Sequence, residues 1–169
     1  MSTTRSNKIV GLASLLKVRA AYREAGRTVV WTNGCFDLLH AGHVRSLQAA
    51  SRLGDVLVVG LNSDASVRAL KGARRPVLPE GERAEVLAAL ECVDHVLVFS
   101  DPTPTATLER LQPDVHCKGA DYAPPHGKPI PERAIVEAYG GRVEFLPLMA
   151  GASTTELIHR ARQRGENAD

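Results

Sequence analysis

The chain has 169 residues, 24% of them charged, and a formal net charge of +2, a length that suits one domain able to bury its core without disulfides or metal. Its basic residues are scattered rather than striped among aromatics, which argues against a nucleic-acid partner, and Cys35, Cys92 and Cys117, odd in number with no CxxC pair, suggest neither a disulfide framework nor a thiolate zinc site. No apolar run approaches the ~20 residues of a membrane span and Met1 to Lys8 lacks an apolar signal core, so a cytoplasmic protein with no membrane partner is expected.

In chain order, Leu12 to Arg23 reads as a helix closed by Gly26, and Thr28–Asn33 as a buried strand. Val44, Leu47 and Leu53 then recur at roughly helical spacing. Further strands are expected at Val56–Leu61, His95–Phe99, Val115–Cys117 and Val143–Leu146, with helices at Glu82–Leu90, Pro104–Leu111, Glu132–Tyr139 and about Thr154–Arg164. Strands alternating with helical segments predict an α/β fold, a five-stranded parallel sheet with helices on both faces; the expectation adopted for its topology is one Rossmann-like, doubly wound domain over 1–169 in the order 3-2-1-4-5. Residues 1–8 and 165–169 are expected to be flexible tails. Lys71 to Pro79 and Asp121 to Pro131, rich in Pro, Gly or charge, read as irregular loops of the kind that carry function.

The most informative stretch is Thr32 to His43, where a strand hands over to a helix and His40 and His43 stand three residues apart. A helix N-terminus attracts anions through its free N–H groups. Gly34 and Gly42 permit close backbone approach, and the two imidazoles offer N–H donors to the same oxygens. In the predicted strand order, the loop after strand 1 and the Lys118-Gly119-Ala120-Asp121-Tyr122 loop after strand 4 flank the topological switch point, where ligands bind in such sheets.

The residues Asn33-Gly34-Cys35-Phe36-Asp37-Leu38-Leu39-His40-Ala41-Gly42-His43 resemble the GxFDxxHxGH signature of the cytidylyltransferase-like nucleotidyltransferase superfamily. Glu91 to Val96 resembles its RYVDEV segment and Gly151 to Ile158 its GxSTTxI segment. Asn62-Ser63-Asp64, Lys71-Gly72, Arg75-Pro76-Val77 and Lys118 to Tyr122 are similar to the heptose-1-phosphate adenylyltransferase branch, whose members include a form fused to a sugar kinase; with no kinase here, the stand-alone form is expected. The resemblance spans about residues 28–160. It implies attack by a phosphate oxygen of an acceptor on the α-phosphorus of ATP, with heptose 1-phosphate as acceptor and ADP-heptose and pyrophosphate as products, for a bacterial surface polysaccharide. It also implies Mg²⁺ carried mainly by the ATP phosphates, with no protein metal cage, and a homodimer. Within the enzymes the alternative is another nucleotide or acceptor, as in glycerol-3-phosphate cytidylyltransferases or FMN-type adenylyltransferases. Outside them it is a non-catalytic nucleotide sensor, against which the retention of both histidines argues.

On this resemblance His40, His43, Lys71 and Arg83 are the catalytic candidates. The histidines would stabilise charge at the α-phosphate, Lys71 would close over phosphates, and Arg83 would grip β/γ oxygens, the alternative being that Glu80 and Glu82 neutralise it at the surface. Asn33, Gly34, Cys35, Phe36, Gly42, Lys118, Ser153, Thr154 and Thr155 are candidates for nucleotide binding, and Asp37, Arg75 and Asp121 for the acceptor. Ser153-Thr154-Thr155-Glu156 also reads as a capping box, and Cys35 as a small turn-filling side chain rather than a nucleophile. Asp94 is expected to fix a helix-to-strand turn, and His95, His116, His126 and His159 to be structural or exposed. Some members, notably glycerol-3-phosphate cytidylyltransferases, carry an arginine before GxSTT; the corresponding stretch here is Pro147-Leu148-Met149-Ala150, an apolar wall suited to a purine.

Overall fold

Three consecutive large apolar residues, Val29, Val30 and Trp31, open strand β1 (Val29–Gly34), and all three are buried because β1 is the central strand of its sheet. The computed structural model describes residues 6–147 and 154–166. β2 (Val56–Asn62) is buried along its whole length, and β3 (His95–Phe99), β4 (Val115–Gly119) and β5 (Arg142–Leu146) complete a five-stranded sheet in the order β3-β2-β1-β4-β5. Every pairing is parallel, with Val29 opposite Val56 and Val30 opposite Val115. The expected doubly wound order is the observed one.

Alternation along the strands builds two cores. On one face Val30, Leu57, Val59 and Leu61 meet Leu47 and Ala50 of α2 (Ala41–Ser51) and Ala84 and Leu87 of α4 (Glu80–Ala88). On the other, Val29, Trp31, Val58 and Leu97 meet Leu15 of α1 (Leu12–Glu24), Leu108 and Leu111 of α5 (Thr105–Leu111) and Val136 of α6 (Arg133–Ala138). The expected elements lie within a few residues of the observed ones. Among the described residues one α-helix is additional, as is a 3-10 turn at Ala120–Tyr122: α3 (Asp64–Lys71), eight residues long, is capped by Ser63, whose Oγ accepts from Ser66 N at 3.3 Å, and it ends at Gly72, φ +96°. The last helix is α7 (Thr154–Glu166). Ile9 pairs with Val96 as an isolated bridge and Lys8 O accepts from Val96 N, so the flexible tail expected over 1–8 is anchored at its end.

Carboxylates seal the amino ends of the central strands. Asp114 accepts from Val29 N, Asp55 from Thr28 N and Asp94 from Leu57 N, each at 2.7 Å, which gives Asp94 its expected turn-fixing role. Buried Arg19 ties Asp114 to the end of α5 through Leu111 O and Gln112 O. The opposite, carboxyl ends of the strands open onto the loops.

Gly60 of β2 sits directly against Trp31, and a Cβ there would lie 2.2 Å from the indole. Gly60→Ala is expected to destabilise the fold by about 1–3 kcal/mol, the usual cost of overpacking a core, read as a lower urea midpoint. An unchanged midpoint would show that Trp31 swings aside freely.

Candidate active site

After β1 the chain turns sharply through Cys35 to His40 before α2 begins at Ala41. Phe36 and Leu38 hold φ of +44° and +49°, left-handed values that cost energy for residues with a Cβ and persist only where neighbours enforce them. Asp37, between them, is the enforcing group. Its carboxylate is fully buried and accepts from Arg75 Nε at 2.7 Å, Val77 N at 2.9 Å and Leu78 N at 3.1 Å. Burial alone would raise its pKa, but those N–H donors hold it below the ordinary carboxylate value. Its backbone carbonyl accepts from Thr154 Oγ1 at 2.6 Å, which brings the start of α7 against the same turn. Asp37, expected to meet the acceptor, is therefore engaged by the protein itself.

His40 is the N-cap position of α2, and His43 lies in the first turn. Their rings stack with centroids 3.8 Å apart and planes 28° from parallel, and His43 leans on Phe36 at 5.3 Å. Both Nδ1 atoms are buried with no hydrogen-bond partner among the described residues. Burial, helped by the neighbouring His40, pushes His43 down to about 4, and burial lowers His40 as well. At neutral pH the pair is uncharged, each ring keeping one N–H to donate.

His43 lines a cleft of about 570 Å³ at the carboxyl ends of β1 and β4. The cleft gathers Asn33, Gly34, Cys35 and Phe36 from the turn, Lys71 and Arg75 from the end of α3 and the loop behind it, Lys118 and Tyr122 from the β4 side, and Thr154 and Thr155 from α7. Four other candidates lie off its wall. His40 stacks beside His43, Gly42 sits within the first turn of α2, and Asp121 pairs with Lys128 at 2.5 Å. Arg83 is the clearest departure. It is 1% exposed, not at the surface, and donates to Leu78 O at 2.9 Å, Cys35 O at 2.5 Å, Asn62 O at 3.0 Å and Asp64 Oδ1 at 2.7 Å. Nor is it neutralised by Glu80 or Glu82: Asp64 is its carboxylate, and Glu80 Oε2 instead accepts from Asp64 N at 2.7 Å. Cys35 carries a thiol pushed up by burial, in keeping with a turn-filling rather than nucleophilic role. Ser153 and the Leu148-Met149-Ala150 wall fall outside the described residues.

Glu132, read from the sequence only as the start of a helix, also lines the cleft and joins Lys118 and His116 beneath it. His116 and Lys118 stand two apart on β4 and so share a face, a signal visible in the sequence. Their common carboxylate comes from beyond a long loop, which periodicity cannot supply. Among the described residues, no group of three or more His, Cys, Asp or Glu side chains converges to hold a metal ion, and no helix is long and apolar enough to cross a membrane.

A family model described as cytidylyltransferase-like matches residues 31–160. The chain belongs to the cytidylyltransferase-like family. As a member, it is a nucleotidyltransferase. It is 54% identical over 153 residues to the bifunctional protein HldE of Syntrophotalea carbinolica and 56% identical over 151 residues to that of Halorhodospira halophila, matches that cover 90% and 89% of this chain. This cytidylyltransferase-like chain spans 31% of the length of each of those relatives. Among solved structures it is similar to the lipopolysaccharide core biosynthesis protein of Thermoplasma volcanium, with a TM-score of 0.59 and 26% identity over 73% of this chain and 98% of the other. It shares its fold with the pantoate-β-alanine ligase of Francisella tularensis, with a TM-score of 0.56 and 12% identity over 82% of this chain and 66% of the other.

Two outcomes follow from this geometry. Arg83→Met is expected to cost about 3–5 kcal/mol of unfolding free energy, because it strips the half-buried Asp64 carboxylate and three carbonyls of their shared buried donor. Retained stability with a raised KM for the nucleotide would instead place the guanidinium on the substrate. His43 is lowered in the fold from 6.5 to about 4, so the unfolded chain takes up its proton first as pH falls. Stability from the neutral ring is thus full above pH 6.5 and lost between there and about 4. The melting temperature should drop across that window, and less steeply in His43→Ala; His40, His95 and His116, also lowered by burial, keep part of the slope.

Proposed function

We propose that this nucleotidyltransferase transfers the adenylyl group of ATP to a heptose 1-phosphate, releasing pyrophosphate and forming an ADP-heptose for a bacterial surface polysaccharide. The observation that carries the reading is the stacked, uncharged pair His40 and His43 at the head of α2, with His43 opening onto a cleft that also holds Lys71 and Arg75. The motifs shared with heptose-1-phosphate adenylyltransferases, and identities above 50% to HldE proteins, support the choice of acceptor and base.

ATP and a sugar phosphate together bring about six negative charges into one cleft, so charge must be offset before the reacting atoms can meet. Mg²⁺ enters as part of the nucleotide substrate. The lining carboxylates, Asp37 and Glu132, are already paired with Arg75 and Lys118, which leaves the ion to the phosphates and water. A phosphate oxygen of the acceptor attacks the α-phosphorus. The new P–O bond forms as the bond from the α-phosphorus to the bridging oxygen breaks, and pyrophosphate leaves with that electron pair. In this reading the backbone N–H groups of Gly34 to Phe36, the head of α2 and the imidazole N–H groups steady the α-phosphate oxygens. Lys71 and Arg75 draw the outer phosphates, and Thr154 and Thr155 add hydroxyl and N–H donors from α7. Asp37 serves by holding Arg75 and the turn in register. Little covalent work is asked of the protein, because placing the two anions in line accounts for most of the rate.

A pyrophosphate-release screen over four nucleoside triphosphates and a panel of sugar and polyol phosphates, with Mg²⁺ present, is expected to single out ATP with heptose 1-phosphate. Selection of CTP with glycerol 3-phosphate would overturn the acceptor and base, and no release from any pair would overturn catalysis. In the active pair, His43→Ala is expected to lower kcat at least about 10²-fold with the fold retained, the effect of removing one charge-stabilising donor. Unchanged kcat would remove His43 from the reaction.

A further inference from the structure

The two ends of the cleft differ in charge. Lys71 has no ion pair among the described residues, and Arg75 gives only Nε to Asp37, so its two terminal nitrogens are not taken up by that pair. At the β4 end the arrangement is the reverse. Glu132, 1% exposed yet on the wall, accepts through Oε1 from Lys118 Nζ and from His116 Nε2 at 3.2 Å. His116 is wholly buried and burial keeps it neutral, so the Glu132 charge is set against Lys118 alone. Burial opposes ionisation of Glu132, but the contacts from His116 and Lys118 hold its carboxyl at about 2. The pair is therefore a full carboxylate beside a full ammonium, with no net charge. Lys118 Nζ lies 5.3 Å from the centre of the Tyr122 ring, and Pro129 and Pro131 close the same wall.

A phosphate gains little from a cation that is already neutralised, and it is repelled by the carboxylate beside it. A sugar ring fits that surface better. Its hydroxyls both donate and accept, matching a carboxylate next to an ammonium, and its C–H face packs on an aromatic ring. We propose that Glu132 is a specificity-determining residue: by neutralising Lys118 it makes the β4 end of the cleft a hydroxyl-binding subsite that takes a sugar ring and turns phosphate away. This rests on the nucleotidyl-transfer reading above. Two sugars enter that reaction, the ribose of the nucleotide and the acceptor sugar, and their shared chemistry is a pair of neighbouring hydroxyls.

Glu132→Gln keeps the side-chain size and removes the charge. Calorimetric binding of ATP, 2′-deoxyATP and inorganic tripolyphosphate, with KM for heptose 1-phosphate from pyrophosphate release, reads the consequence. Tripolyphosphate is expected to bind several-fold tighter to the variant, because Lys118 is freed, and one sugar-bearing substrate to bind about tenfold weaker. Loss of the preference for ATP over 2′-deoxyATP assigns the subsite to ribose. A raised KM for heptose 1-phosphate, with ATP binding and kcat unchanged, assigns it to the acceptor. Tripolyphosphate binding no tighter, together with both sugar substrates held as in the wild type, overturns the proposal, as does a fall in kcat alone. If Glu132→Gln fails to fold, the charge-balanced double variant Glu132→Gln/Lys118→Met takes its place; it should lose the sugar substrate without gaining tripolyphosphate, and undiminished sugar binding there overturns the proposal. The binding arms do not depend on turnover, so a wild-type protein that binds ATP yet releases no pyrophosphate would defeat the transfer reading and leave the subsite still decided by ATP against 2′-deoxyATP.

Discussion

A guanidinium cannot sit bare inside a protein, and the way Arg83 is satisfied fixes where the loops around the cleft go. Its donors reach Cys35 O in the turn after β1, Asn62 O at the end of β2, Leu78 O in the loop before α4 and the Asp64 carboxylate at the head of α3. A planar fork with fixed donor directions holds four separate segments in one relative position, which a flexible ammonium could not do. Asp37 works in the opposite sense from the same turn, a buried carboxylate collecting Arg75 and two backbone N–H groups. Removing either charge would leave partners unsatisfied in a dry interior, and that penalty makes the left-handed residues Phe36 and Leu38 tolerable.

Rigid loops alone do not make a site for two anions. The imidazoles of His40 and His43 rest neutral because they are buried and stacked on each other. The pair stands at the N-cap and in the first turn of α2, a helix end whose free N–H groups favour an anion. Among the described residues that line the cleft, positive charge without a full partner is confined to Lys71 and the terminal nitrogens of Arg75, while Lys118 is offset by Glu132. A cleft lined uniformly with cations would bind phosphate in any register. One that is charged at one end and balanced at the other gives a long, polar substrate a direction.

Some of this is written in local patterns. The apolar runs that mark the five strands are legible because a parallel strand buried on both faces must be apolar throughout, as β2 is. The His40/His43 pair is legible because its spacing and its place after a strand are properties of the chain itself. Helix α3 is harder to see: its eight residues are amphipathic but few and polar on average, and Ser63 as N-cap marks its start. Arg83 is where local pattern misleads most: its acidic neighbours in sequence, Glu80 and Glu82, suggest a solvated face, yet the side chain is buried. Its actual carboxylate, Asp64, comes from a different helix. Glu132 carried no local sign of its role, since its partners on β4 lie across a loop whose path only packing decides.

The sequence by itself determined the fold class and the motif that names the reaction class, because periodicity, turn residues and short-range spacing are encoded within a few neighbouring positions. Tertiary structure alone decided which charged residues face the cleft and which hold the protein together. Arginines and carboxylates look alike in a sequence whatever they touch. Burial separates them: inside the fold each charge must find a partner, and Arg83 found carbonyls, Asp37 found Arg75, and Lys118 found Glu132 because the sheet and its loops brought those groups within hydrogen-bond reach.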